Sequence, residues 1–341
     1  ATPRERREGT LSACVCAARA PCPATPMDAE SFRRLHSAQF HQRFLRGGVR
    51  CDGRRLQEHR APLSLTTAVA GHAQGSALCR LGDTTVMAAI KAEVTVPSES
   101  EPRNGFLEVQ VDLSNMSGAH LGSDSHVKPH SLDQSAAMAS RITAILMSAG
   151  CVDLESLCIE EGRVVWFLYV DVICLSDAGN VMDAAILAVS AALQDVMLPG
   201  VSITDTDEVL GNAEAKTPLR VNSLLIPVSF ACIGSEYLVT DPSREEEEVS
   251  SWSCTVVCKN DGTFCSVIEE CTVQDRVTTV GSKGKGACDA ASLLRCMQHA
   301  EKAGPFLAEL LGLPWTGPKK SRSKEKGEGK VSSSRTFESK Q

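Results

Sequence analysis

The stretch RVVWFLYVDVICLSDAGNVMDAAILAVSAALQDV, residues 163–196, decides the fold of this 341-residue chain. Its first part, Arg163 to Leu175, is apolar and rich in β-branched and aromatic residues, which predicts a buried strand. Ser176 to Asn180 supplies a turn, and from Val181 to Val196 apolar residues recur at helical spacing. One face of this helix should therefore lie against a sheet.

The upstream sequence predicts a first half built from similar elements. Ser76–Leu81 and Thr84–Val94 are strand-like runs around a Gly-Asp pair, a pattern typical of a β-hairpin. A further strand is predicted at Phe106–Leu113 and a helix from about Leu132 to Met147. Residues 28–46 predict an amphipathic helix that ends at two glycines.

A polar, glycine-containing stretch, Leu198–Lys216, predicts the boundary between two halves. Beyond it the sequence predicts four strands and then two helices: Ser223–Ile233, Glu236–Thr240, Trp252–Lys259 and Thr263–Ile268, followed by Cys288–Ala303 and Pro305–Leu311. An Asn-Asp-Gly turn joins the last two strands. Because strands precede helices in each half, the pattern favours an α+β fold over a doubly wound parallel sheet.

The composition, 43% hydrophobic and 23% charged, is typical of a globular chain with a buried core. No apolar run approaches the roughly 18 residues of a membrane span. The net charge of −7 hides a basic, Ser-rich end, because residues 318–341 carry eight Lys or Arg against three Glu. An acidic body argues against nonspecific RNA binding over the whole surface. The basic end could be a nuclear address, a phosphate-touching arm or only a solubilising tail.

Fifteen cysteines are spread along the chain without a C-x-x-C pair, which is the strongest zinc signature. Cys79, Cys174 and Cys232 lie in apolar runs, where a free thiol behaves as a small hydrophobe. We therefore expect reduced structural thiols in a reducing compartment, and neither a metal nor another cofactor.

Three motifs, in order, carry a resemblance to a known family. They are Val49–Arg54 (VRCDGR), the hairpin from Gln74 to Val86, and Asp171–Cys174 leading into the turn Asp177–Asn180. They are similar to the RxDGR opening, the GSALvrlGnTtV hairpin and the phosphate-site strand and turn of RNase PH proteins. The resemblance spans about residues 49–300. It implies an RNase PH-like fold of two βαβα-type halves, each similar to domain 2 of ribosomal protein S5.

On this basis the chain divides into five predicted segments. Residues 1–26 lack the apolar core of a secretion signal and are expected to be a disordered extension; a mis-assigned start and an Arg-bearing transit peptide are alternatives. An N-terminal helix (27–48), the first half (49–199), the second half (217–312) and a basic disordered tail (313–341) follow.

Asp241-Pro242-Ser243 followed by Glu245-Glu246-Glu247 resembles the DPTxxEE signature of one class of exosome ring subunit. Three eukaryotic paralogues share this signature, so the position in the ring stays open. The resemblance implies a six-membered ring of RNase PH-type subunits that forms heterodimers, with S1/KH cap proteins and a hydrolytic exoribonuclease that receives threaded RNA. It implies a location in the nucleus, the nucleolus and the cytoplasm, and no membrane.

Groups on which phosphorolysis depends in active RNase PH proteins are replaced by other residues in this chain. Their Gly-Gly-Thr-Arg run, whose Arg and amides bind phosphate, aligns with residues 179–182, where Met182 stands in place of the Arg. A neutral Met cannot offset the repulsion between phosphate and RNA, although packing is its simplest role. Their two aspartates six residues apart correspond to Asp241 and Glu247, a pair that could equally be a solvated turn. The resemblance therefore implies a degenerate, non-catalytic site.

The alternative is an active phosphate-dependent 3′–5′ exoribonuclease. Asp241 and Glu247 would form its acid or Mg²⁺ site, and the amides of Gly179 and Asn180 would hold phosphate. This hypothesis needs a basic group at the turn, for example Lys283 or Lys285. A third hypothesis, a free-standing RNA-binding adaptor, depends on the basic tail.

Active relatives also grip RNA with arginines in the loop before their first long helix. The corresponding residues here, 112–130, offer Lys128 and three histidines, with Arg103 nearby. Neutral histidines add little phosphate affinity. Arg103 and Lys128 are therefore the candidate RNA contacts, and a solvated loop is the alternative.

Overall fold

The computed structural model describes residues 29–113, 129–203, 209–234, 236–271 and 288–317. The predicted N-terminal extension, Lys128, Lys283, Lys285 and the basic end from residue 318 lie outside the described residues. Within the described ranges, no helix combines the length and the apolar character needed to cross a membrane.

Two short helices, α1 Ala29–Leu35 and α2 Ser37–Leu45, replace the single N-terminal helix predicted over residues 28–46. The break lies at His36, whose φ of −134° and ψ of 49° are not helical. After the break, Leu45 joins a small apolar cluster with residues of the second half. The change of direction thus allows α2 to pack against that half.

The first half is a six-stranded sheet with two long helices. The strands are β1 Leu63–Thr67, β2 Gly75–Leu81, β3 Thr84–Thr95, β4 Phe106–Asp112, β5 Cys158–Glu160 and β6 Val164–Ser176, and the helices are α3 Pro129–Ala149 and α4 Val181–Asp195. The strand order is β1-β2-β3-β6-β4, and β5 also pairs with β6. All pairs are antiparallel except β4 with β6. The predicted strand–turn–helix unit therefore occupies the middle of the fold.

The second half is a four-stranded antiparallel sheet with two helices, preceded by a hairpin. The hairpin strands are β7 Met197–Ile203 and β8 Val209–Pro218, the sheet strands β9 Leu225–Ile233, β10 Tyr237–Thr240, β11 Trp252–Lys259 and β12 Phe264–Cys271, and the helices α5 Arg244–Val249 and α6 Ala290–Leu310. The sheet order is β10-β9-β11-β12. The predicted α+β class, with strands and helices in both halves, is confirmed.

Helix α4 lies between the two sheets, which is a correction to the single buried face predicted for it. Twelve of its fifteen residues are buried, because the helix packs on β2 and β3 on one side and on β9 on the other. A helix that is apolar on nearly all sides is stable only when it is covered on all of them. α4 therefore fixes how the two halves meet.

The polar stretch predicted as the boundary between the halves forms the β7–β8 hairpin, which pairs with itself and leaves much of β8 exposed, so it lacks the apolar alternation of a core strand. Two further predictions about the second half are wrong. Pro305 lies inside α6 and does not end it, because the buried residues Leu307 and Ala308 hold the helix beyond it. The predicted tail from residue 313 begins too early, since Leu313 is buried and Trp315 packs against Gly304.

Gly75 gives a test of the contact between β2 and α4. A Cβ at this position would lie 2.6 Å from the Ala192 carbonyl oxygen and 2.6 Å from Cγ2 of Val196. We expect Gly75→Ala to lower the free energy of unfolding by about 1–3 kcal/mol, because α4 must shift, as measured by denaturant unfolding. Gly71→Ala is the control, since a Cβ at residue 71 would have no neighbour within 4 Å. Equal stability of the two variants would contradict the close packing of β2 on α4.

Candidate functional site

The turn between β6 and α4 lies directly against the start of α5, so the structure brings the two sequence-predicted sets of residues together. Gly179 has a φ of +97°, and a Cβ there would lie 2.3 Å from the Arg244 nitrogen. The Arg244 N–H donates to the Ala178 carbonyl at 3.0 Å. Glycine is therefore required at 179 both for its backbone conformation and for this close approach.

Asp241 is fully buried and both of its carboxylate oxygens are engaged. Arg60 donates from Nη2 to Oδ1 at 2.8 Å and from its backbone N–H to Oδ2 at 2.8 Å. Asn180 Nδ2 donates to Oδ1 at 2.8 Å, and Arg54 Nη1 lies 3.4 Å from Oδ2. Burial raises the pKa of this carboxyl, but the bond to Arg60 and its positive charge outweigh burial and leave the pKa below its usual value. The Asp241 carboxylate is therefore ionised and pairs with two arginines.

Glu246 forms a second buried pair, with Arg50 of the opening motif. Arg50 is 1% exposed and Glu246 is 2% exposed, and Nε of Arg50 donates to Oε1 of Glu246 at 2.9 Å. Arg50 also donates to the carbonyls of Thr240 at 2.6 Å and Asp241 at 2.9 Å. Glu246 in turn caps α5 together with Ser243. The opening motif and the acidic motif therefore hold each other in place.

Glu247, the second carboxylate of the predicted pair, bonds to the turn rather than to an arginine. Its Oε1 accepts the N–H of Asn180 at 2.7 Å. Burial raises its pKa to about 7, against the lowering effect of that hydrogen bond. The N–H of Gly179 is also engaged, since it donates to Oδ1 of Asp177 at 2.8 Å. Both amides that the enzyme alternative assigns to phosphate thus already bind carboxylates of this chain.

Asp183 is a buried carboxyl that the sequence reasoning missed. It accepts from Nδ2 of Asn180 at 2.8 Å and from the N–H and Oγ–H of Ser229 at 2.9 and 2.6 Å. Burial raises its pKa to about 6. The available signal was an acidic residue in the first turn of a helix whose other inward positions are apolar apart from Ser190. Asp183 connects α4 to β9, so it links the turn to the second sheet.

A cleft of about 580 Å³ opens beside the turn. Met182, half-buried, contributes to its wall together with Glu247 and the apolar side chains of Met138 and Ile268. Arg141 is the one basic side chain among the described residues that line this cleft, and it is paired with Glu270. A phosphate entering the cleft would therefore meet a thioether and a carboxylate at the turn.

Of the two candidate RNA contacts, Arg103 lies away from this cleft. Arg103 is exposed and pairs with Glu161 at 2.7 Å, near the residue where β6 begins. The turn follows the other end of β6, and thirteen strand residues span about 40 Å. Lys128 lies outside the described residues.

A larger cleft, of about 800 Å³, lies on the other side of α5 and contains a Cys–His–Glu arrangement. Sγ of Cys51 is 3.3 Å from Nδ1 of His41, and Nε2 of His41 is 3.7 Å from Glu245. Burial and the neighbouring glutamates raise the pKa of Cys51 to about 11, whereas a nucleophilic cysteine needs a lowered pKa. In the described ranges, no group of three or more His, Cys, Asp or Glu side chains could hold a metal ion.

Glu246 and Glu248 form a matched pair for testing the buried ion pair, because they lie two residues apart on α5. We expect Glu246→Ala to lower the free energy of unfolding by about 3–5 kcal/mol, since it leaves Arg50 charged and buried without its partner. Glu248, whose side chain is 70% exposed, should change stability by less than about 0.5 kcal/mol when replaced by Ala. Denaturant unfolding of both variants tests this, and a cost below about 1 kcal/mol for Glu246→Ala would contradict a structural role for the pair.

Comparison with known proteins points to one family. The 3′ exoribonuclease family, domain 1, matches residues 60–199, and domain 2 of the same family matches residues 223–303. The exosome complex component Rrp42 of Methanopyrus kandleri is 35% identical over 224 residues, which is 65% of this chain and 80% of that protein. The exosome complex component rrp43 of Schizosaccharomyces pombe is 29% identical over 240 residues, 70% of this chain and 86% of that one.

Solved structures give the same result. A chain of the Archaeoglobus fulgidus exosome with RNA bound to the active site has a TM-score of 0.65 and 26% identity, covering 80% of this chain and 96% of that one. A chain of an archaeal exosome core has a TM-score of 0.63 and 25% identity, with coverage of 80% and 95%.

Proposed function

Because this chain belongs to the RNase PH-type 3′ exoribonuclease family, we propose that it is a structural, non-catalytic subunit of an RNA exosome ring. The relatives named exosome components Rrp42 and rrp43 support the ring role in RNA processing and degradation. Other RNase PH-type subunits would be its ring neighbours. S1/KH cap proteins and a hydrolytic exoribonuclease would dock on the ring, in the nucleus, the nucleolus and the cytoplasm.

The observation that carries the non-catalytic part of the proposal is that the Asp241 carboxylate is already bonded to arginines. A general acid must hold a proton, and a Mg²⁺ ligand must direct a lone pair at the metal. Asp241 is 0% exposed, its pKa is lowered and both oxygens accept bonds from Arg60. It therefore meets neither requirement, and Met182 supplies no charge to bind phosphate.

The sharpest test is an assay for phosphorolysis. The purified chain, alone and assembled with its ring partners, is incubated with 3′-labelled single-stranded RNA, inorganic phosphate and Mg²⁺, with an active RNase PH as the positive control. We expect no nucleoside diphosphate from the chain alone, although it still assembles into a ring. Diphosphate released by the chain alone would overturn the non-catalytic assignment and restore the enzyme alternative.

RNA contact by Arg103 and Lys128 is part of the proposal and can be tested in the assembled ring. Loss of one phosphate contact reduces the slope of log affinity against log salt by about 1 and weakens binding to all sequences alike. We expect this for Lys128→Ala and Arg103→Ala in RNA titrations at several salt concentrations. Lys91→Ala is the matched control, because Lys91 is also exposed and paired with a glutamate. An unchanged slope in both variants would remove these residues from the RNA path.

A further inference from the structure

Helix α4 is capped by a side chain from another part of the fold. Its own N-cap residue, Asn180, makes no side-chain cap hydrogen bond, and its Nδ2 donates to Asp183 and Asp241. The carboxylate of Glu247, sixty-seven residues away in the sequence, instead accepts the Asn180 N–H at 2.7 Å. A helix N-terminus attracts negative charge through its free N–H groups and its dipole. Glu247 thus occupies the place that an external anion would otherwise take.

The surroundings of Glu247 show that the turn is its main partner. Among the described residues, no Lys, Arg or His nitrogen lies within 4.0 Å of its carboxylate, in contrast to Asp241 and Glu246. The side chain is half-buried at the wall of the 580 Å³ cleft, where the charges of Asp177 and Asp183 raise its pKa and the charge of Arg60 lowers it. The direct partner of its carboxylate is the Asn180 N–H, at 2.7 Å.

We propose that Glu247 is an internal anion that excludes inorganic phosphate from the turn between β6 and α4. The inference rests on the proposed non-catalytic function. It names Glu247 as a second cause of weak phosphate binding at the turn, in addition to the neutral side chain of Met182. Phosphate would have to displace the Glu247 carboxylate from the Asn180 N–H and then remain beside it. Both steps oppose binding, the first by loss of a charge-assisted hydrogen bond and the second by repulsion between like charges.

The experiment uses the full chain and its Glu247→Ala variant, with inorganic phosphate as the probe. Phosphate binding is followed at about pH 8.5, above the Glu247 pKa of about 7, so that this carboxyl is ionised. Calorimetric titration and the thermal unfolding midpoint are measured against chloride at equal ionic strength. Because a hydrogen bond to a charged group contributes about 1.5–3 kcal/mol, we expect phosphate to bind Glu247→Ala at least about tenfold more tightly than the parent chain. Glu248→Ala removes the same charge from the next residue of α5, whose side chain is 70% exposed, and it should bind phosphate as the parent does.

Glu247→Gln provides a second variant if removal of the whole side chain prevents folding. It keeps the shape and an acceptor for the Asn180 N–H but removes the charge, so its affinity should fall between those of the parent and Glu247→Ala. Equal phosphate binding by the parent, Glu248→Ala and the Glu247 variants would overturn the inference, as would no binding by any variant. Neither result would affect the non-catalytic proposal, which fails only if the parent chain releases nucleoside diphosphate.

Discussion

Two buried ion pairs, Arg50 with Glu246 and Arg60 with Asp241, hold the segment before the first sheet against the second half. Buried pairs of this kind contribute little net stability compared with apolar residues of the same volume, because removing two charges from water costs several kcal/mol each. Loss of one partner is costly, however, since the other charge is then left buried alone. The pairs therefore fix one arrangement of the two halves, while the apolar faces of α4 stabilise the contact between them by burial.

This constraint determines what the site can do. The resemblance to active RNase PH proteins implies that the position of Asp241 holds, in those enzymes, one of two carboxylates that take part in the reaction. Here its carboxylate accepts from Arg60, Arg54 and Asn180, and the backbone around it is held by Arg50. A carboxylate that neutralises buried arginines cannot also bind a metal or transfer a proton without leaving those arginines unpaired. The structural role and the catalytic role are therefore in competition at this residue.

The sequence predicted the strand β6, the turn and helix α4 because each is specified locally, by an apolar run, a Gly-containing turn and helical periodicity. The hairpin of β11 and β12 followed in the same way from its Asn-Asp-Gly turn. The partners of Asp241 could not be predicted, since Arg60 is 181 residues away and no local pattern marks it. The second buried face of α4 was missed because periodicity reports how apolar a helix is, and not how many sheets cover it.

The exchanges at Met182 and Glu247 are best understood together. Both side chains line the same cleft, and the turn between them is bordered by the carboxylates of Asp177 and Asp183. An arginine at 182 would line the same cleft as Glu247, so its positive charge would be attracted to that carboxylate. Glu247 would thus neutralise that arginine before phosphate arrived. Under the proposed function, removal of the carboxylate at 247 frees the Asn180 N–H for phosphate, whereas a cation at 182 alone would stay paired with Glu247.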